Sequence, residues 1–195
     1  MVTTGRQAAG SASRTWRTRD IVIAAVIGVA FGVVFWAWGL VYRGAAPVFV
    51  AAPWAQDILY GVWLMPAILA PLIVRKPGAA LFAELVAAGL SAMLGSQWGV
   101  DALVSGVLQG LGAEIVFFAT GYRLYGFAVL AIAALGSATA AWIHDWVVYY
   151  PGIDPLIQVL RGIAMGVSAV LFAAWGSVLL VRSLRGTGVL EGFPE

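Results

Sequence analysis

The chain has 195 residues, with 11 Lys+Arg against 9 Asp+Glu, so only 10% of its side chains are charged while 62% are hydrophobic. Soluble domains carry about 25% charged and about 45–50% apolar residues; with a mean hydropathy of +0.95, this composition excludes a water-soluble globule and a disordered chain alike. Zero cysteines and one histidine exclude disulfides, thiolate chemistry and a multi-histidine metal centre.

Residues 1–19, with Arg6, Arg14, Arg17 and Arg19, read as a cytoplasmic N-terminal tail. The apolar run that follows, about 21–42, exceeds the roughly 7–15-residue core of a secretory signal and is read as a first membrane helix. Further apolar segments follow at about 58–74, 79–94, 102–120, 126–148 and 156–181, against a requirement of about 20 residues per crossing. Residues 186–195 form a cytoplasmic C-terminal tail, leaving 20–185 as the membrane domain. Pro47, Pro53, Pro77-Gly78, Pro151-Gly152 and Pro155 punctuate the junctions. Pro66 and Pro71 fall inside the second segment and predict a kink. Barrel strands would alternate polar and apolar residues, whereas Ile21–Phe35 and Val167–Val181 are apolar on every face. The predicted fold is therefore an all-α integral membrane protein of six transmembrane helices.

Basic residues set the expected orientation. With the first tail inside, Arg6, Arg14, Arg17, Arg19, Arg75, Lys76, Arg123, Arg182 and Arg185 all lie on the cytoplasmic side, and only Arg43 and Arg161 face outward. The positive-inside rule then places both termini in the cytoplasm, in the inner or plasma membrane.

Two carboxylates interrupt apolar helices, Glu84 in the third and Glu114 in the fourth. Such groups are costly in a bilayer and normally face a bundle interior or a wet cavity. Glu84, Ala88, Ser91 and Gly95 share one helical face, and Gly106, Gly110 and Glu114 follow each other at intervals of four with Gln109 beside them. Either carboxylate serves a functional site or only fixes helix packing. Seven of the nine tryptophans, Trp36, Trp38, Trp54, Trp63, Trp98, Trp142 and Trp146, fall in the outer half. An anchoring belt populates both interfaces, so the bias points to an aromatic-walled outer pocket, suited to a cationic or flat heteroaromatic solute, with ordinary interfacial anchoring as the alternative for about half of these residues. Tyr60, Asp101, His144, Asp145, Tyr149, Tyr150 and Arg161 gather at the same end; His144 either binds a ligand or hydrates at the interface. Ala24, Gly28 and Gly32 form a small-residue stripe on the first helix, open to internal packing or to a partner subunit. No phosphate-binding Gly-Lys-Ser/Thr loop is present, so ATP hydrolysis by that route is excluded.

The stretch from Asp20 to Trp36, the Glu84 helix, Gly95-Ser96-Gln97-Trp98-Gly99 and Ser105-Gly106-Val107-Leu108-Gln109-Gly110-Leu111-Gly112-Ala113-Glu114 resemble YkoE-type S components of energy-coupling factor (ECF) vitamin transporters. The resemblance implies a non-enzymatic, six-helix subunit that captures its vitamin near the outer surface, without a cofactor. It also implies a transmembrane coupling (T) subunit and cytoplasmic ATP-binding subunits as partners, with Ala24, Gly28 and Gly32 meeting the former. The implied vitamin is thiamin or its hydroxymethylpyrimidine precursor. A carboxylate pairing with the aminopyrimidine is expected at Glu84, with Glu114 second. Gln97, Trp98, Gln109, Trp38, Tyr60, Trp63, His144 and Trp146 are the other expected pocket residues. The reading from another class is a small membrane enzyme using Glu84 or Glu114 as acid or base.

Overall fold

The computed structural model describes residues 15–193; the expected tail residues Arg6 and Arg14 lie outside the described residues. Six rods make up the bundle: α1 (Thr18–Ala45), α2 (Pro53–Val74), α3 (Ala79–Met93), α4 (Asp101–Ala119), α5 (Phe127–Val148) and α6 (Pro155–Gly186). Five of them are long and apolar enough to cross a membrane. The exception is α3, whose 15 residues span about 22 Å at about 1.5 Å per residue, short of the roughly 30 Å hydrocarbon core.

Winding is not uniform. Residues Pro53–Leu64 of α2 form a tight 3-10 coil and Met65–Val74 a regular α-helix. Pro66 lies at the start of that regular portion, where its missing N–H is not needed, and the winding changes immediately before it. In α6 the segment Ala169–Gly176 is wound wide, as a π-helix. The two irregular segments meet through Ser168, whose hydroxyl donates to the Ile58 carbonyl at 2.5 Å and accepts from the Gly61 N–H at 2.7 Å.

The core is built around α2, in which every residue from Met65 to Val74 is buried. The other helices form an arc around it in the order α1, α3, α4, α5, α6. Small residues set the spacing of this arc. A Cβ on Gly28 would lie 2.6 Å from Val86 Cβ, and one on Gly32 would lie 2.6 Å from Leu90 Cβ. Ala24, Gly28 and Gly32 are accordingly buried, and the stripe expected to meet a coupling subunit is occupied by α3 of the same chain. The outward side of α1 carries Val22, Val26, Val29 and Val33 instead, all about half exposed, a surface suited to lipid.

Both ends of the described chain lie at one end of the bundle. Trp16 Nε1 donates to the Pro77 carbonyl at 2.9 Å, and the Arg19 guanidinium sits 4.9 Å from the Phe193 ring centre. This terminal end also holds the α2–α3 and α4–α5 connections, joined through Glu114. The α1–α2, α3–α4 and α5–α6 connections lie at the opposite end, where the latter two supply Ser96, Trp98, Tyr149 and Tyr150 to the wall of a cavity.

Candidate functional site

The cavity, about 120 Å³, lies between α1, α2, α3, α4 and the end of α5. Its aromatic wall consists of Phe35 and Tyr42 from α1, Tyr60 and Trp63 from α2, Trp98 from the α3–α4 connection, and Tyr149 and Tyr150 at the end of α5. These rings interlock: Trp63 meets Trp98 edge to face at 5.0 Å, Tyr42 at 5.3 Å and Tyr60 at 5.5 Å. Trp63 Nε1 also donates to the Phe35 carbonyl at 3.4 Å, which ties the cluster to α1.

The polar wall is acidic. Glu84, Asp101 and Asp145 line the void with Ser91, Ser96, Ser105 and Gln109. Glu84 is fully buried, and its Oε2 accepts from the Ala67 N–H at 3.1 Å. Ala67 belongs to the first turn of the regular part of α2, where backbone N–H groups lack an intrahelical partner and the helix dipole favours an anion. The break in winding at Pro66 thus creates the seat for the carboxylate. Gln109 fixes the other oxygen. With its amide oxygen accepting from Ser105 Oγ at 2.6 Å, its nitrogen donates to Glu84 Oε1 and to the Trp63 carbonyl, both at 3.3 Å.

Two further networks flank the cavity. Arg161 Nε lies 3.0 Å from Asp57 Oδ2, its guanidinium stacks 3.3 Å from the Tyr150 ring centre, and Tyr42 Oη donates to Asp57 Oδ1 at 3.3 Å. His144 has Nδ1 3.1 Å from Asp145 Oδ1 and Nε2 3.3 Å from Asp101 Oδ1, and the Tyr149 hydroxyl donates to Asp101 Oδ2. Burial, and then the hydrogen bond to Asp101, push the Tyr149 phenol above its ordinary value, so it keeps the proton it donates.

The family described as "ABC-type cobalt transport system, permease component" matches residues 19–140 of this chain. A protein of Bacillus subtilis (strain 168) that carries the name HMP/thiamine permease protein YkoE is 36% identical over 184 residues, covering 92% of this chain and 89% of that protein. A crystal structure of an S component of an ECF transporter superposes with a TM-score of 0.86 at 36% identity, over 91% of this chain and 90% of the other. The chain is an S component of the ECF transporter family. It is a multi-pass membrane protein and a non-enzymatic transport subunit, which removes the reading of Glu84 and Glu114 as acid and base of a membrane enzyme. Membership implies a small-molecule substrate, a T subunit and ATP-binding partners.

Of the residues expected at the site of this S component, Glu84, Gln109, Trp98, Tyr60 and Trp63 line the cavity. Ala88 and Ser91 of the Glu84 face line it as well. His144 stands one layer behind, touching the wall through Asp101 and Asp145. Trp38 braces α1 on α2 by donating to the Leu59 carbonyl at 2.8 Å, Trp146 packs on Trp142 at 5.1 Å, and Gln97 is exposed on the α3–α4 connection. Glu114 is at the other end of the molecule. Its oxygens accept from the N–H groups of Gly78 at 2.6 Å and Ala80 at 3.1 Å and from Tyr122 Oη at 2.8 Å, so it caps the start of α3 and has no part in the cavity. Asp101, Asp145, Tyr149 and Tyr150 stand out in the sequence as polar groups gathered at this end, and the fold turns them into wall. Phe35 and Tyr42 carry no such signal, because an aromatic residue in an apolar helix is indistinguishable from a lipid-facing one until its neighbours are known.

Proposed function

We propose that this S component captures thiamin in the aromatic and acidic cavity, at the outer face of the membrane, for uptake driven by ATP-binding partner subunits. The observation that carries the reading is the convergence of seven aromatic rings and three carboxylates, Glu84, Asp101 and Asp145, on one void. A thiazolium cation is attracted to aromatic faces and to negative charge, and an aminopyrimidine protonated on its ring nitrogen offers two adjacent N–H donors to a carboxylate such as Glu84. The named activity of the Bacillus subtilis relative supports this ligand class. Among the described residues no group of three His, Asp or Glu side chains is placed to hold a metal ion.

The test is a titration of the purified chain in detergent, without nucleotide, following tryptophan fluorescence as thiamin, hydroxymethylpyrimidine and riboflavin are added. Saturable quenching by thiamin is expected. Glu84→Gln should weaken it by about 10-fold or more, since a hydrogen bond to a charged group contributes about 1.5–3 kcal/mol. Equal or tighter binding of hydroxymethylpyrimidine would move the substrate to the precursor, and no response to either would overturn the reading.

A further inference from the structure

His144 is the one histidine of the chain, and its position poses a problem of proton count. A neutral imidazole has one N–H and one bare lone pair. Here each ring nitrogen faces a carboxylate oxygen, Nδ1 that of Asp145 at 3.1 Å and Nε2 that of Asp101 at 3.3 Å. With a neutral ring and two ionised carboxylates, one of these contacts would set lone pair against lone pair. One additional proton in the cluster turns both contacts into hydrogen bonds.

The ring itself is closed to solvent, and the two carboxylates are the groups that face its nitrogens. His144 is 6% exposed, and the groove on its far side is lined by Leu108, Ile143 and Val147, which offer no polar side chain. From α4 the facing ionisable group is Asp101, and from α5 and the turn after it they are Asp145 and Tyr149, the latter donating to Asp101. From α2, Tyr60 and Asp57 face Asp145, and from α6 Arg161 acts on Asp145 across a longer distance, its own ion pair being with Asp57. Asp101 and Asp145 both line the cavity, whereas His144 does not.

We propose that His144 is a positioning residue whose ring carries a proton on each nitrogen and shares them with Asp101 and Asp145, leaves the three groups with a single net negative charge, and so sets the preference of the cavity for a cationic over an uncharged ligand. The proposal rests on the substrate reading above. Removing one of these protons adds a full negative charge to the wall and favours the thiazolium cation over the uncharged pyrimidine alcohol. Both ligands carry an aminopyrimidine, so its contacts are common to the two, and the ratio is read above the pH at which either pyrimidine ring takes up a proton.

Two measurements test this. In tag-free protein labelled with 15N-histidine, the single imidazole should show protons on both ring nitrogens, and Asp101→Asn should reduce that to one. Separately, the ratio of hydroxymethylpyrimidine Kd to thiamin Kd should rise by about 5-fold or more as pH is raised through loss of that proton, and should be flat with pH in His144→Gln. One protonated nitrogen in the wild type, a flat wild-type ratio, or an unchanged slope in His144→Gln would each overturn the proposal. If neither ligand binds the wild type, the substrate reading falls, and the specificity role of His144 falls with it; the NMR measurement alone then decides the proton assignment.

Discussion

Asp57 and Arg161 are 1% and 6% exposed, so their ion pair at 3.0 Å is removed from water. Burying two charges together is close to neutral in free energy, but removing one partner leaves the other uncompensated, at about 3–5 kcal/mol. The pair also holds two tyrosines of the cavity wall: Tyr42 donates to Asp57, and Tyr150 lies under the Arg161 guanidinium. Arg161→Met should therefore lower the thermal midpoint of the chain in detergent and weaken ligand binding together. The double variant Asp57→Leu, Arg161→Met should recover most of the stability while binding stays weak, because Tyr42 and Tyr150 have lost their anchors. Equal stability of the single and double variants would show that the pair is not a coupled unit.

At the scale of helices, the contact between α1 and α3 depends on glycine. A Cβ at Gly28 meets Val86 Cβ at 2.6 Å and the Ala83 carbonyl oxygen at 2.9 Å, and backbone cannot rotate away as a side chain can. Gly28→Leu should destabilise the isolated chain by about 1–3 kcal/mol, the usual cost of overpacking, and its thermal midpoint should drop before any partner subunit is added. A midpoint unchanged from wild type would return the stripe to the role of a partner surface. The example also marks how far sequence reading reaches. Spans are legible because lipid demands long apolar runs, and a small-residue stripe is legible as a place of close approach, but the stripe does not specify which helix approaches. Glu84 and Glu114 look alike in sequence, each an acid in an apolar helix, yet one sits at a change of winding in α2 beside the cavity and the other caps α3 at the far end. That change of winding is itself illegible: α2 is buried on every side, so no polar stripe records how tightly it is wound.

Across the whole molecule, charge and cavity lie at opposite ends. Arg17, Arg19, Arg75, Lys76, Arg123, Arg182 and Arg185 belong to the terminal end, while the cavity opens between connections whose flanks carry only Arg43 and Arg161. Applied to this distribution, the positive-inside rule predicts that the terminal end faces the cytoplasm, on the side of the ATP-binding partners, and that the cavity faces outward. The absence of cysteine from the sequence makes this orientation directly measurable. Gln97→Cys, on the exposed α3–α4 connection at the cavity end, and Gly186→Cys, exposed at the last turn of α6, each introduce a single thiol. In intact cells a membrane-impermeant maleimide should label the thiol at position 97 and reach the one at 186 only after the membrane is opened. The reverse pattern would invert the molecule, place the cavity on the cytoplasmic side, and leave an uptake subunit with no outward-facing route to its substrate in this conformation.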